Sequence, residues 1–315
     1  MCDAKVFPIL EIENRWPGMR DGIRIDEPTV SEYSPWRSKA KRAVAGRSVK
    51  AALLARGAAR LEFFDSLDMR QRVDITLVAP ALRGSVVAAQ EWREVAFVHW
   101  RVPADAVAPL LPRGVVPDVF DGSTWVGLIA FELGDARIGP FPPSPIGGRF
   151  TEVNVRLYGV DAEGRRGVVF RSLEASSLPA VLAARALFSL PYMWARAAQR
   201  QVAGGWEYAS RRITASPTTP GPGFRLAISV DTTQTVDDEL SQFLTARWGL
   251  FQTRFGRTQW LPNEHEPWVL HPARVTSLRD DLCAAAGLPG ITGSAPDSVL
   301  FSPGVTSKFG RGLFI

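Results

Sequence analysis

From Phe150 onward the chain alternates. Phe150, Glu152, Asn154, Arg156 and Tyr158 fall on one side of an extended segment, and Val153, Val155 and Leu157 fall on the other. One face is apolar; the other sets a carboxylate, an amide and a guanidinium in a row. A solvated face and the polar floor of a pocket both fit that row. The stretch TWVGLIAFEL (124 to 133) is apolar on both faces, as a buried central strand is. Asp121-Gly122 before it signals a hairpin turn.

The rest reads as many strands and few helices. Residues 85 to 93 predict a short helix running into a strand, EVAFVHWRV, and Pro103-Ala-Asp opens a short helix. Val115 to Phe120 predicts a short strand. GVVFRSLEASS predicts the strand after Tyr158, followed by a helix over LPAVLAARALFSLPYMWARAAQR that bends at Pro191 and starts a new turn there. WEYASRRIT and FRLAISV flank SPTTPGPG as a hairpin, and DDELSQFLTARWGLF turns from helix to strand. RTQWLPNEHEPWVLHPARV holds two strands, a helix runs from about Leu278 to Ala286 and stops at Gly287, and SVLFSPGV is a late strand. The Pro/Gly-rich stretch 139 to 149 reads as a loop of the kind that borders binding sites. This is α+β, mainly antiparallel β, with a few short helices.

Composition divides the chain near Met69. Four of the five lysines precede it, and 37 to 60 is an Ala-rich basic run without an acid. Residues 1 to 68 are therefore expected to be a basic, flexible N-terminal extension or an over-called start, with 69 to 315 forming a single domain. The net charge of +5 raises nucleic acid as a partner, but residues 69 to 315 hold 25 basic and 22 acidic side chains without an aromatic-plus-basic signature. The expected partner is a small molecule, with no nucleic acid and no membrane; a homo-oligomer fits the expected barrel edges. No apolar run reaches membrane-span length, no signal peptide is visible, and the two cysteines lie far apart, so a reduced, cytoplasmic protein is expected.

Dinucleotide, nucleotide-phosphate, zinc-protease and serine-hydrolase motifs are absent. His265 and His271 sit six apart beside Glu264 and Glu266, a spacing with little metal specificity, so no metal and no cofactor are expected.

FVHW (97 to 100), LLPRG (110 to 114), FDGSTWVGLIAFEL (120 to 133), TEVNVRLY (151 to 158), SLEAS (172 to 176), AARALFSLPYMWA (183 to 195), FLTARWGLF (243 to 251), PWVLHPA (267 to 273) and LFSPGV (300 to 305) are similar, in colinear order, to the YqjF-like family of bacterial proteins. That family resembles a branch of the acetoacetate decarboxylase-like superfamily, which implies a closed double β-barrel with an internal pocket. The decarboxylases carry Gly-Arg-Glu, three residues, then Phe-Pro-Lys-Lys. Laid on this chain, the motif puts Arg185 at its arginine and Leu190-Pro191 at Phe-Pro, and its lysine pair falls on Tyr192 and Met193. The amine of Schiff-base chemistry is thus missing from its place. The superfamily's pocket glutamate falls on Glu152.

The resemblance and the alternation together nominate Glu152 and Tyr192 as catalytic groups and Asn154, Arg156, Arg185 and His265 as ligand contacts. A salt bridge from Glu152 to Arg156 or Arg185 is the structural alternative, and Arg185 must be paired if it is buried. The expected function is binding, or conversion without Schiff-base chemistry, of a small carbonyl or carboxylate compound. A non-catalytic ligand-binding module and a structural or interaction protein with a side-chain-filled barrel are the alternatives.

Overall fold

The computed structural model describes residues 75–139, 141, 148–216 and 218–315, all within the unit Ser66–Ile315. The extension expected over 1 to 68 lies outside the described residues. The elements are β1 (Ala88–Val102), α1 (Ala104–Val107), β2 (Val115–Pro117), β3 (Thr124–Ile138), β4 (Phe150–Asp161), β5 (Arg166–Ala175), α2 (Leu178–Phe188), β6 (Tyr192–Val202), β7 (Gly205–Arg212), β8 (Gly223–Val230), α3 (Glu239–Thr245), β9 (Gly249–Arg254), β10 (Arg257–Glu264), β11 (His271–Asp280), α4 (Leu282–Ala285), β12 (Ser298–Phe309) and β13 (Leu313–Phe314).

Strand pairing closes on itself twice. One circuit runs β1–β3–β4–β5–β9–β10–β12 and back to β1; a second leaves β5 through the β6–β7–β8–β11 meander and returns at β12. The outer circuit has nine strands, and the two barrels share β5, β9, β10 and β12. Pairing is antiparallel except for β5 with β6 and with β9. Closure leaves few free edges.

The alternation read in β4 sets the layers. Val153, Val155 and Leu157 point into a core shared with Tyr208, Phe224, Leu226 and Ile228 of the meander and capped by Leu282 and Cys283 of α4. Glu152, Asn154 and Arg156 point the other way, into a cavity inside the first circuit.

Three expected helices differ in the structure. Residues 85 to 93 belong largely to β1, whose phase a bulge at Glu94 resets: Ala88, Gln90 and Trp92 before it and Val95 and Phe97 after it all face the cavity. Glu94 adopts φ +51°, and the Tyr208 hydroxyl donates to its carbonyl at 2.6 Å. The bent helix does not continue past Pro191: α2 stops at Phe188, Ser189 takes the left-handed conformation at φ +56°, and β6 starts at Tyr192. The helix expected over Leu278 to Ala286 shrinks to α4, because β11 pairs with β8 as far as Asp280.

Candidate functional site

The cavity encloses about 330 Å³. Its wall is largely apolar and aromatic, from Trp92 and Phe97 on β1, Phe131 on β3, Phe150 on β4 and Trp268 in the β10–β11 connection. Trp92 and Trp268 stack nearly parallel, and Phe97 meets Trp268 edge-on. Into this wall project Glu152, Asn154, Arg156, Tyr192, Arg247, Asn263 and His265.

Glu152 is almost fully buried, and Tyr192 donates its hydroxyl to Glu152 Oε2 at 2.7 Å. Tyr192 reaches the carboxylate because β6 starts parallel to β5, pairing with Leu173, while β4 pairs with β5 from the other side. Burial penalises the charged carboxylate more than the hydrogen bonds from Tyr192 and Asn154 favour it, so Glu152 titrates at about 7. Burial, and the neighbouring Glu152, push the Tyr192 phenol well above its usual range. The pair therefore holds a proton that can leave or return near neutrality.

At the other end of the same face stands Arg156. Its Nε donates to the Tyr158 hydroxyl at 2.9 Å and its Nη2 to the Leu244 carbonyl at 3.2 Å. Among the described residues it has no ion-pair partner, so the expected bridge to Glu152 is not formed. The Tyr158 oxygen accepts from Arg156 and also shares a hydrogen bond with His99 Nε2, 2.6 Å away. Burial keeps the His99 ring neutral, and the charges of Arg156 and Arg247 reinforce that. Gly127 faces His99 on one side and Arg156 on the other, and a Cβ there would meet Tyr158 Oη at 3.0 Å and Arg156 Cγ at 3.1 Å. Gly127→Val is expected to cost about 1–3 kcal/mol by overpacking this cluster. Urea unfolding would check it, and an unchanged midpoint would show that the cluster yields freely.

Arg247 follows α3 and is buried with its guanidinium over Phe243 and Tyr158. Its Nε donates to Phe243 O at 2.7 Å and its Nη1 pairs with Asp118, which also accepts two hydrogen bonds from Arg166 at 2.8 and 3.0 Å. Burial raises the Asp118 carboxyl, but the two guanidiniums outweigh it and hold the group below its ordinary value.

His265 lies against Trp248 and Trp268 in the cavity wall and donates from Nδ1 to the Glu266 carbonyl at 2.7 Å, leaving Nε2 bare. Burial lowers it to about 4, so it is a neutral acceptor at physiological pH. His271 is turned away to the Gln234 carbonyl. Among the described residues no group of three or more His, Cys, Asp or Glu gathers as a metal site.

The structure brings Glu152, Asn154, Arg156, Tyr192 and His265 to one cavity and leaves Arg185 out. Ala180, Ala183 and Ala184 of α2 face the cavity, and Arg185, about 100° further round the helix, is exposed. Its exposure removes the need for a partner. Two residues were missed: Arg247, whose only signal was a lone arginine between a helix and a strand, and His99, a lone polar residue in the apolar run FVHW.

The family model that matches residues 89–306 is DUF2071, described as an uncharacterized conserved protein. Uncharacterized protein YqjF of Bacillus subtilis (strain 168) is 30% identical over 205 residues, which cover 65% of this chain and 84% of that protein. In fold, the chain is similar to an acetoacetate decarboxylase-like enzyme from Sphingomonas wittichii RW1, with a TM-score of 0.52 at 12% identity over 75% of this chain and 95% of that one. The acetoacetate decarboxylase of Legionella pneumophila matches with a TM-score of 0.50 at 12% identity over 75% of this chain and 91% of that one. This chain belongs to the DUF2071 family of YqjF-like proteins, built on the acetoacetate decarboxylase-like double β-barrel.

Proposed function

We propose that the protein binds a small carbonyl or carboxylate compound in the β4 cavity and converts it by proton transfer through Glu152. The observation that carries this reading is the buried Glu152–Tyr192 pair, 2.7 Å apart and titrating at about 7, in the wall of an open, mainly apolar cavity. Burying a carboxyl without a guanidinium costs stability, which is the signature of a group kept for its chemistry. An oxygen on the substrate can accept the Glu152 proton, or a carbon-bound proton beside a carbonyl can be taken by the ionised form. Among the described residues imine formation has no amine in the cavity wall: their one lysine, Lys308, is half exposed and lies 3.6 Å from Glu264. A cavity of this size speaks against the filled-barrel reading.

A thermal-shift screen of the native chain against keto acids, aldehydes, hydroxy acids and lactones tests the proposal. Compounds that bind only the folded state raise its melting temperature. Hits that are also turned over, with turnover lost in Glu152→Gln, are the expected result. Hits without turnover would reduce the protein to a ligand-binding module, and no hit from a folded sample would remove the reading.

A further inference from the structure

We infer that the cavity's ligand is an elongated hydroxyaryl carboxylic acid, held by its carboxylate at Arg156 and Arg247 and by its hydroxyl near Asn154 and Glu152. This rests on the binding function proposed above and names its ligand class.

Two buried polar atoms set the ends. Among the described residues Arg247, 5% exposed, has no partner for its Nη2, and Asn154, 3% exposed, has none for its Oδ1; both residues line the cavity, as does Trp92, whose Nε1 is also unpartnered in the wall between them. Buried orphans are rare in native proteins and mark places where another group completes the bonding. The guanidinium nitrogen requires an acceptor and the amide oxygen requires a donor. Asp118 takes up one side of Arg247, but the neighbouring Arg156 has no carboxylate among the described residues. Arg247 shares Asp118 with Arg166, and Arg156 has no carboxylate of its own among the described residues, which leaves room for one anion from outside, and a carboxylate fits their forked donors.

Length follows from β4. Glu152 and Arg156 are four residues apart on one face, so their backbones are separated by about 13 Å along the strand. A short acid anchored at Arg156 does not extend to the Glu152–Tyr192 end. The volume agrees: 330 Å³ is room for on the order of ten waters and falls within the range of sites for larger ligands. Pyruvate or acetoacetate would leave most of it empty. The space between the ends is walled by Phe97, Trp92 and Trp268, and flat aromatic faces favour a flat apolar body.

The test is tryptophan-fluorescence titration of the full chain at pH 7 with four probes: 3-(4-hydroxyphenyl)propanoate, 3-phenylpropanoate, the neutral 3-phenylpropanamide, and acetoacetate. The expected order is hydroxyaryl acid tightest, the aryl acid next, and the amide and acetoacetate each at least about tenfold weaker than the aryl acid, the scale of one charge-assisted bond. In Arg156→Gln the aryl acid is expected to weaken by at least about tenfold while the amide is unaffected. If acetoacetate binds as well as the aryl acids, the small-compound reading stands and this inference falls. Equal binding of acid and amide to the native chain also overturns it, and that comparison needs no variant. If none of the four binds, this inference falls, and the thermal-shift screen decides the wider small-compound reading separately.

Discussion

Asp118→Ala is expected to lower stability by about 3–5 kcal/mol, the cost of breaking a buried ion pair from one side. Asp118 is 5% exposed and accepts from both Arg166 and Arg247, and Arg247 is itself buried. Removing the carboxylate leaves a buried guanidinium over Phe243 and Tyr158 without its counter-charge. At roughly 2–4 °C per kcal/mol for a domain of this size, the melting temperature should fall by about 6–20 °C. Glu207→Ala is the comparison, because Arg200–Glu207 is an exposed pair on the meander and should be worth less than about 1 kcal/mol. The pH dependence has a definite sign. Asp118 is depressed in the folded state, so its contribution is present above its unfolded value near 3.8 and is lost as pH falls through the lower folded value. Calorimetry of both variants at neutral pH decides the matter. Equal, small losses would mean that Asp118 does not carry the Arg247 charge, and that the orientation of the free Nη2 is set by something else.

What the sequence made legible, and what it hid, follows one physical line. The β4 face was readable because its alternation runs unbroken from Phe150 to Tyr158, and a period of two assigns every side chain to a face without reference to the rest of the fold. Glu152, Asn154 and Arg156 therefore appeared as a row before any contact was known. Tyr192 was reached through the resemblance, although the local expectation of a helical turn there was wrong. β1 was misread because one residue, Glu94 in a left-handed conformation, flips the phase between Trp92 and Val95. No composition rule announces such a bulge in a glutamate. The partners of Arg156 and Arg247 were hidden for a different reason. Asp118 lies 129 residues from Arg247, and His99 lies 59 from Tyr158; only closure of the barrel brings them together. Arg185 was over-read because a charge in an apolar helix is ambiguous until the buried side of the helix is known, and α2 turns Val181 and the half-buried Ala180, Ala183 and Ala184 inward instead.

Glu152→Gln is expected to make the protein more stable at pH 8. The carboxyl titrates at about 7 in the folded chain against an ordinary value of 4.5. A raised folded value means the native state keeps its proton where the unfolded state has lost it. Stability therefore falls as pH rises from about 4.5 to about 7 and stays low above that. At 1.36 kcal/mol per unit, the two and a half units amount to about 3 kcal/mol for this fully buried group. Glutamine is nearly the same size, can still accept the Tyr192 hydroxyl proton, and does not ionise, so the variant should lack this fall. The measurement is urea unfolding of both proteins from pH 4.5 to 8: similar stabilities at the acid end, and a gain for Glu152→Gln that opens with rising pH. Parallel curves would show that Glu152 titrates like an exposed carboxylate, and the proton-transfer reading would lose its basis. The same substitution removes the only carboxylate that the described residues place in the cavity wall, so the stabilised protein should also be the inactive one, with conversion of any substrate reduced by about 10²–10⁴-fold. Stability gained and activity lost in one substitution is the pattern of a group held against its own solvation for the chemistry it performs.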